Sequence, residues 1–240
     1  VESMPLAVFQ KIVEQLPKGM RLIPSAWNEP FCEPNIWDYL EAAPHCKLML
    51  YTNGSLLTEE DCEKINATKN IDLVYVSING GDSQAYKFSM GIDFQNTYER
   101  VQRLFAAKRR PDLNIHICGW YTDETAASML HLKSLFPEAK DVFWYHYFNV
   151  RGMVEDDPHY HPNPHNLGCA RPFFYLAISV DGSVTPCCNS INNEVVFGNV
   201  KDTPLEDIWF SEKFNNFRKL HIEGRIKEIP LCAPCNEPCG

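Results

Sequence analysis

Lys47-Leu48-Met49-Leu50-Tyr51-Thr52, stopped by Asn53-Gly54, is followed by a polar run opening Thr58-Glu59-Glu60-Asp61 and then by Ile71-Asp72-Leu73-Val74-Tyr75-Val76-Ser77-Ile78. The two apolar runs read as buried strands bounded by turn residues, and the acidic first turn after Thr58 suits the positive end of a helix dipole. This strand, helix, strand unit repeats in both directions. Upstream lie a helix over Leu6 to Leu16, with Leu6, Phe9, Ile12, Val13 and Leu16 at helical spacing, a short strand over Met20 to Ala26 and a helix over Asn35 to Ala43. Downstream come a helix near Phe94 to Ala107, a strand at Leu113 to Cys118, a helix from Glu124 to Phe136 and a strand at Val142 to Phe148. Such alternation predicts α/β architecture built from parallel βαβ units, with the working loops at the C-terminal ends of the strands. An open or partial barrel satisfies the pattern, and a doubly wound sheet is its competitor.

The rhythm breaks between Asn149 and Gly168, a proline-rich segment that carries His159, His161 and His165. Three histidines could ligate a metal, but prolines hold the segment extended, so it reads as a connector. Beyond it, Phe174 to Val180 reads as a strand, Asp181-Gly182 as a two-residue turn and Ser183-Val184-Thr185 as the returning strand. That hairpin is expected to fold Cys187 back toward Cys169. Cys232-Ala233-Pro234-Cys235 has the spacing at which one tight turn grips a metal centre with two thiolates. Helices over Pro204 to Trp209 and Glu212 to Ile222, the second with Phe214, Phe217 and Leu220 inward, complete the tail. Sulfur ligands of this kind suit either zinc or an iron-sulfur cluster, and spacing alone leaves both open.

Polar residues stand where the barrel reading puts chemistry. Asn28-Glu29-Pro30 follows the first strand, and a carboxylate there can receive an ammonium group. Thr52-Asn53-Gly54-Ser55 and Ser77-Ile78-Asn79-Gly80 close the next two strands in the same manner, although Asn-Gly also serves simply to turn a chain.

The 240 residues suffice for one α/β core and a small appendage. A net charge of -9 and a pI near 5.4 argue against nonspecific binding to nucleic acid or to an anionic membrane. Ten cysteines without a visible signal peptide favour ligands or free thiols over disulfides, and hence a cytoplasmic, reducing location.

Cys169, twelve residues, Gly182, four residues, Cys187, then Gly198-Asn199-Val200, Leu205-Glu206-Asp207-Ile208-Trp209 and Cys232-x2-Cys235 resemble the SPASM/twitch extension of radical SAM enzymes. The resemblance implies an auxiliary 4Fe-4S cluster on Cys169, Cys187, Cys232 and Cys235, with Cys188 and Cys239 as possible substitutes. Full SPASM domains carry seven cysteines and two auxiliary clusters, so one cluster of the twitch type is expected here. The strand ends then resemble the radical SAM barrel, which implies that Glu29 holds the amino group of S-adenosylmethionine and that Thr52, Asn53 and Ser77 contact the same cofactor. The family often has Gly where this chain has Asn28.

The family's Cys-x3-Cys-x2-Cys does not occur upstream of Met4-Pro5-Leu6, and Cys235-x3-Cys239 matches only its first gap. The expectation is a partial barrel lacking its first strand and cluster loop over residues 1–150, a linker over 151–168 and a SPASM/twitch-type α+β domain over 169–240. The complete enzyme, with a second 4Fe-4S cluster and a reductant such as flavodoxin or ferredoxin, would make a 5'-deoxyadenosyl radical and oxidise a small molecule or peptide. This chain alone would be inactive. Arg151 is a candidate to face the pocket, as in twitch-bearing dehydrogenases of aminocyclitols. The competing reading is a noncatalytic module stabilised by zinc or a cluster.

Overall fold

The computed structural model describes residues 2–123, 125–146 and 168–235. They form two compact units, one running from Leu16 to Tyr147 and the other joining residues 1–15 to the part after Tyr147.

In the first unit five parallel strands, counted among the described residues, lie side by side in chain order: β1 (Arg21–Leu22), β2 (Lys47–Thr52), β3 (Ile71–Ser77), β4 (Asn114–Tyr121) and β5 (Val142–His146). A doubly wound sheet reverses direction at a switch point. Here each strand pairs with the next, so the progression is that of an opened barrel. Strand β1 keeps only two residues of the expected seven, because Pro24 has no N–H to give a ladder. One sheet face is fully buried, with Leu48, Leu50, Val74, Val76, Ile115 and Ile117 at 1% exposure or less. Each such side chain contributes about 1.5–3 kcal/mol by leaving water. The other face carries a row of rings: Tyr51 stacks on Tyr75 at 4.8 Å, and Tyr75 lies 5.0 Å from His116.

The helices follow their punctuation. Helix α2 (Ile36–Glu41) precedes β2, and α3 (Glu59–Ala67) begins at Thr58, whose hydroxyl takes the Asp61 N–H while the Asp61 carboxylate takes the Thr58 N–H. Helix α5 (Phe94–Ala107) starts on an Asp93 cap. Between them stands a helix that the sequence reading passed over, α4 (Ser83–Met90), capped by Asp82 and ended by Gly91 at φ 71°. The expected helix from Glu124 to Phe136 is two single turns, α6 (Ala126–Met129) and α7 (Leu132–Leu135).

In the second unit α1 (Leu6–Val13) buries Phe9, Ile12 and Val13. Strands β6 (Ala177–Ile178), β7 (Ser183–Thr185) and β8 (Gly198–Asn199) form an antiparallel sheet, followed by α8 (Leu205–Trp209) and α9 (Glu212–Ile222). Helix α1 is tied to this unit by the Lys11 ammonium on the Lys201 carbonyl at 2.6 Å and by Gln15 Oε1, which accepts the Leu205 N–H at 2.8 Å. The hairpin differs from its expected form. Ile178 pairs with Val184 and the Ser179 N–H reaches the Ser183 carbonyl, so Val180-Asp181-Gly182 is a three-residue loop. Only Gly182 is left-handed, at φ 88°, which is the bulged form of such turns. No described helix is long and apolar enough to cross a membrane.

Candidate functional site

The first constellation sits at the C-terminal edge of the parallel sheet. A 3-10 turn over Pro30–Cys32 opens on Glu29, whose Oε1 accepts the Phe31 N–H at 3.3 Å and the Thr52 hydroxyl at 2.7 Å. Its Oε2 accepts the Asn53 N–H at 2.6 Å. Thr52 Oγ1 takes the Gly54 N–H in turn, and the Asn53 side chain takes the Ser55 N–H. The structure thus brings Glu29, Thr52 and Asn53 together across two strand ends. Burial pushes the Glu29 carboxyl above its ordinary range, and the Thr52 hydroxyl and the Asn53 and Phe31 amides pull it partly back. An ionised carboxylate has about four acceptor positions. With three filled, Oε2 keeps room for one more donor, such as a ligand ammonium.

Ser77, expected beside these groups, has its hydroxyl against the Cys118 thiol at 3.9 Å. The neighbouring strand end is pinned by Asn79, whose Oδ1 accepts the Trp120 N–H at 2.8 Å. Gly81 has no room for a side chain, since a Cβ there would lie 1.9 Å from the Ser128 carbonyl oxygen.

The second constellation belongs to the tail. Cys187 and Cys188 follow β7, and Cys232 and Cys235 occupy the turn after a 3-10 segment at Ile226–Glu228. Burial pushes the Cys187 thiol up to about 12, with the fields of Cys188 and Cys235 adding to it. It also raises the Tyr175 hydroxyl, beside Cys188 and Cys187. His221 joins two further cysteines: its Nδ1 accepts the Cys169 N–H at 3.0 Å and its Nε2 lies 3.7 Å from Cys232 Sγ. Asn189 spans another two, with Oδ1 accepting from Cys188 Sγ and Nδ2 donating to Cys235 Sγ, both at 3.9 Å. Thiols that burial keeps protonated become ligands once a cation supplies the missing charge.

Among the described residues no three His, Cys, Asp or Glu side chains stand close enough to clasp a single metal ion. A donor set of thiolates, with His221 beside Cys232 and Asn189 beside Cys188 and Cys235, suits a four-iron cluster. Cys62 and Cys118, by contrast, are core thiols raised by burial to about 11. Arg151, Cys239 and the histidines of the connector lie outside the described residues.

His221, Asn189 and Arg218 were not singled out from sequence. His221 continues the inward stripe of Phe214 and Phe217 by one helical turn, and that spacing is the signal that could have found it. Arg218 is 8% exposed, bonds the Pro172 carbonyl at 2.8 Å and lies 4.1 Å from the Trp209 ring. It thereby fastens the segment after Cys169 to α9.

Residues 169–236 match the SPASM family, an iron-sulfur cluster-binding domain. An 88-residue stretch is 37% identical to an S-adenosyl-L-methionine-dependent 2-deoxy-scyllo-inosamine dehydrogenase of Niallia circulans, covering 37% of this chain and about a third, 34%, of that protein's length. The fold resembles BtrN in complex with AdoMet and 2-DOIA, with a TM-score of 0.65, 23% identity and coverage of 98% of this chain and 80% of that one. It also resembles anSMEcpe with bound AdoMet, with a TM-score of 0.71 at 15% identity over 100% of this chain and 85% of that one. Streptococcus suis SuiB bound to precursor peptide SuiA gives a TM-score of 0.72 at 14% identity, covering 89% and 60%. The SPASM family is described as binding an iron-sulfur cluster, and the BtrN and anSMEcpe structures hold AdoMet. Residues 169–236 thus belong to the SPASM family, and they are carried with a partial α/β barrel whose fold is that of these solved structures.

Proposed function

We propose that this chain serves a radical SAM oxidoreductase acting on a small polar molecule, that Glu29 receives the amino group of S-adenosylmethionine, and that Cys169, Cys187, Cys232 and Cys235 hold one auxiliary 4Fe-4S cluster. The observation that carries the reading is the Glu29 carboxylate, held by Thr52 and Asn53 at a strand edge with one acceptor position left over. The cofactors supply radical chemistry for hydrogen abstraction. The chain orients the cofactor's ammonium, and Thr52 and Asn53 fix the carboxylate before anything binds. Ser77 lines the same edge without touching Glu29 and is assigned a lesser contact. The 88-residue similarity to a dehydrogenase named for an aminocyclitol supports a hydroxylated ring compound over a peptide as substrate.

The test is equilibrium binding of S-adenosylmethionine to the anaerobically reconstituted chain. Glu29→Gln keeps the shape and removes the charge, and it should weaken binding about tenfold or more, the weight of one hydrogen bond between charged groups. Unchanged affinity would overturn the assignment. Iron and sulfide analysis separates the cluster, with about four irons expected at the tail, from a single zinc without sulfide. The latter result would favour the noncatalytic module.

A further inference from the structure

His221 is 4% exposed and Asn189 2%, yet both place polar atoms against cysteine sulfurs. The orientation of each is dictated by a neighbour. The Cys169 amide can only donate, so His221 Nδ1 must accept, and a neutral imidazole then carries its hydrogen on Nε2. That nitrogen faces Cys232 Sγ. The amide of Asn189 receives the Cys188 thiol on its oxygen, which turns its NH2 toward Cys235 Sγ. The two members of Cys232-x2-Cys235 thus each have a nitrogen donor of their own, brought from different elements.

The His221 ring has little freedom to leave. Phe217 lies 4.9 Å from it, and Gly168 approaches the His221 carbonyl so closely that a Cβ there would sit 2.2 Å from the oxygen.

We infer that His221 and Asn189 are positioning residues that donate N–H···S hydrogen bonds to Cys232 and Cys235 and so raise the reduction potential of the auxiliary cluster. This rests on the tail cluster proposed above. A donor aimed at a ligating thiolate stabilises the more negative, reduced cluster, so the cluster accepts an electron more readily. Such a bias suits a centre that takes an electron during substrate oxidation.

The experiment is a redox titration of the reconstituted full chain, followed by electron paramagnetic resonance, with iron counted in parallel. His221→Phe and Asn189→Leu remove the donors while filling the space. Each should shift the oxidised-to-reduced ratio at a given potential about tenfold toward oxidised, a fall of about 59 mV for a one-electron couple. His221→Gln restores a donor and should return most of the shift. Nitrogen-15 NMR of the metal-free chain should show His221 as the Nε2–H tautomer. An Nδ1–H tautomer, or potentials unmoved in both apolar variants with iron intact, overturns the inference. If His221→Gln also loses its iron, the ring is a ligand or a fold element, and the inference again falls. A wild-type chain that binds no iron defeats both this inference and the proposed cluster, whereas intact iron with an unmoved potential defeats this one alone.

Discussion

The Glu29 cradle and the cysteine cluster, the two sites proposed for cofactors, are built in opposite ways. Glu29 is held by three donors of its own chain, so its geometry exists before any ligand arrives. In the tail His221 and Asn189 lie against Cys232 and Cys235, and no three described His, Cys, Asp or Glu side chains close on one ion. On the reading proposed above, a cluster would draw them together. The contrast teaches that the first site is stabilised by hydrogen bonds that folding supplies, whereas the second, on that reading, would be completed by coordination that folding only prepares.

The largest expected effect is therefore in the tail. Cys232→Ser or Cys235→Ser should reduce bound iron from about four atoms toward none at this site, with a lower melting temperature of the reconstituted chain, read by iron assay and thermal scan. Retained iron would break the comparison by showing that the sulfur is dispensable. Gly168→Ala should come next. The added methyl meets the His221 carbonyl, and overpacking of this kind costs about 1–3 kcal/mol, measurable by denaturant unfolding of the metal-free chain.

The Glu29 cradle should respond to pH instead. Its folded pKa stands above the ordinary 4.5. The proton is thus held more tightly in the native state, so the stability this linkage contributes is present below about pH 4.5. It is lost as pH rises through the folded value. Ammonium binding has the opposite demand, because it needs the ionised form. Affinity for S-adenosylmethionine should consequently decline on acidification at a higher pH than an ordinary carboxylate would cause, and Glu29→Gln should abolish that dependence. The smallest effect is Thr58→Ala, which removes the α3 cap at a cost of about 1 kcal/mol and should leave bound iron unchanged.

Much of this was legible in the residues. Phe94–Ala107, Glu212–Ile222 and Lys47–Thr52 came out with the bounds expected of them, because a strong periodicity coincided with clear caps or turns. Helix α4 was missed although Asp82 and Gly91 bracket it, since Ser83–Met90 buries only Ala85 and Tyr86 and shows little stripe. The single turns α6 and α7 replaced one helix. A pattern of apolar residues cannot report where the backbone breaks between turns. The partial barrel itself was separable from a doubly wound sheet only through strand order, which local sequence does not carry. Of the site, the cysteines and Glu29 were readable as chemical types at strand and turn ends. Their supporting partners were not, because Asn189 and His221 look like any other polar residues until the fold sets them beside sulfur.

Helix α1 has a practical bearing on how this protein is handled. It is separated from the SPASM tail by some 150 positions of chain, yet Lys11 bonds the Lys201 carbonyl and Gln15 caps α8. Cutting a gene fragment at Cys169 would strip that helix away and leave Leu205 without its side-chain acceptor. Anyone wishing to isolate the SPASM part should splice residues 2–15 onto it, since contiguity in space rather than in primary order defines this compact unit.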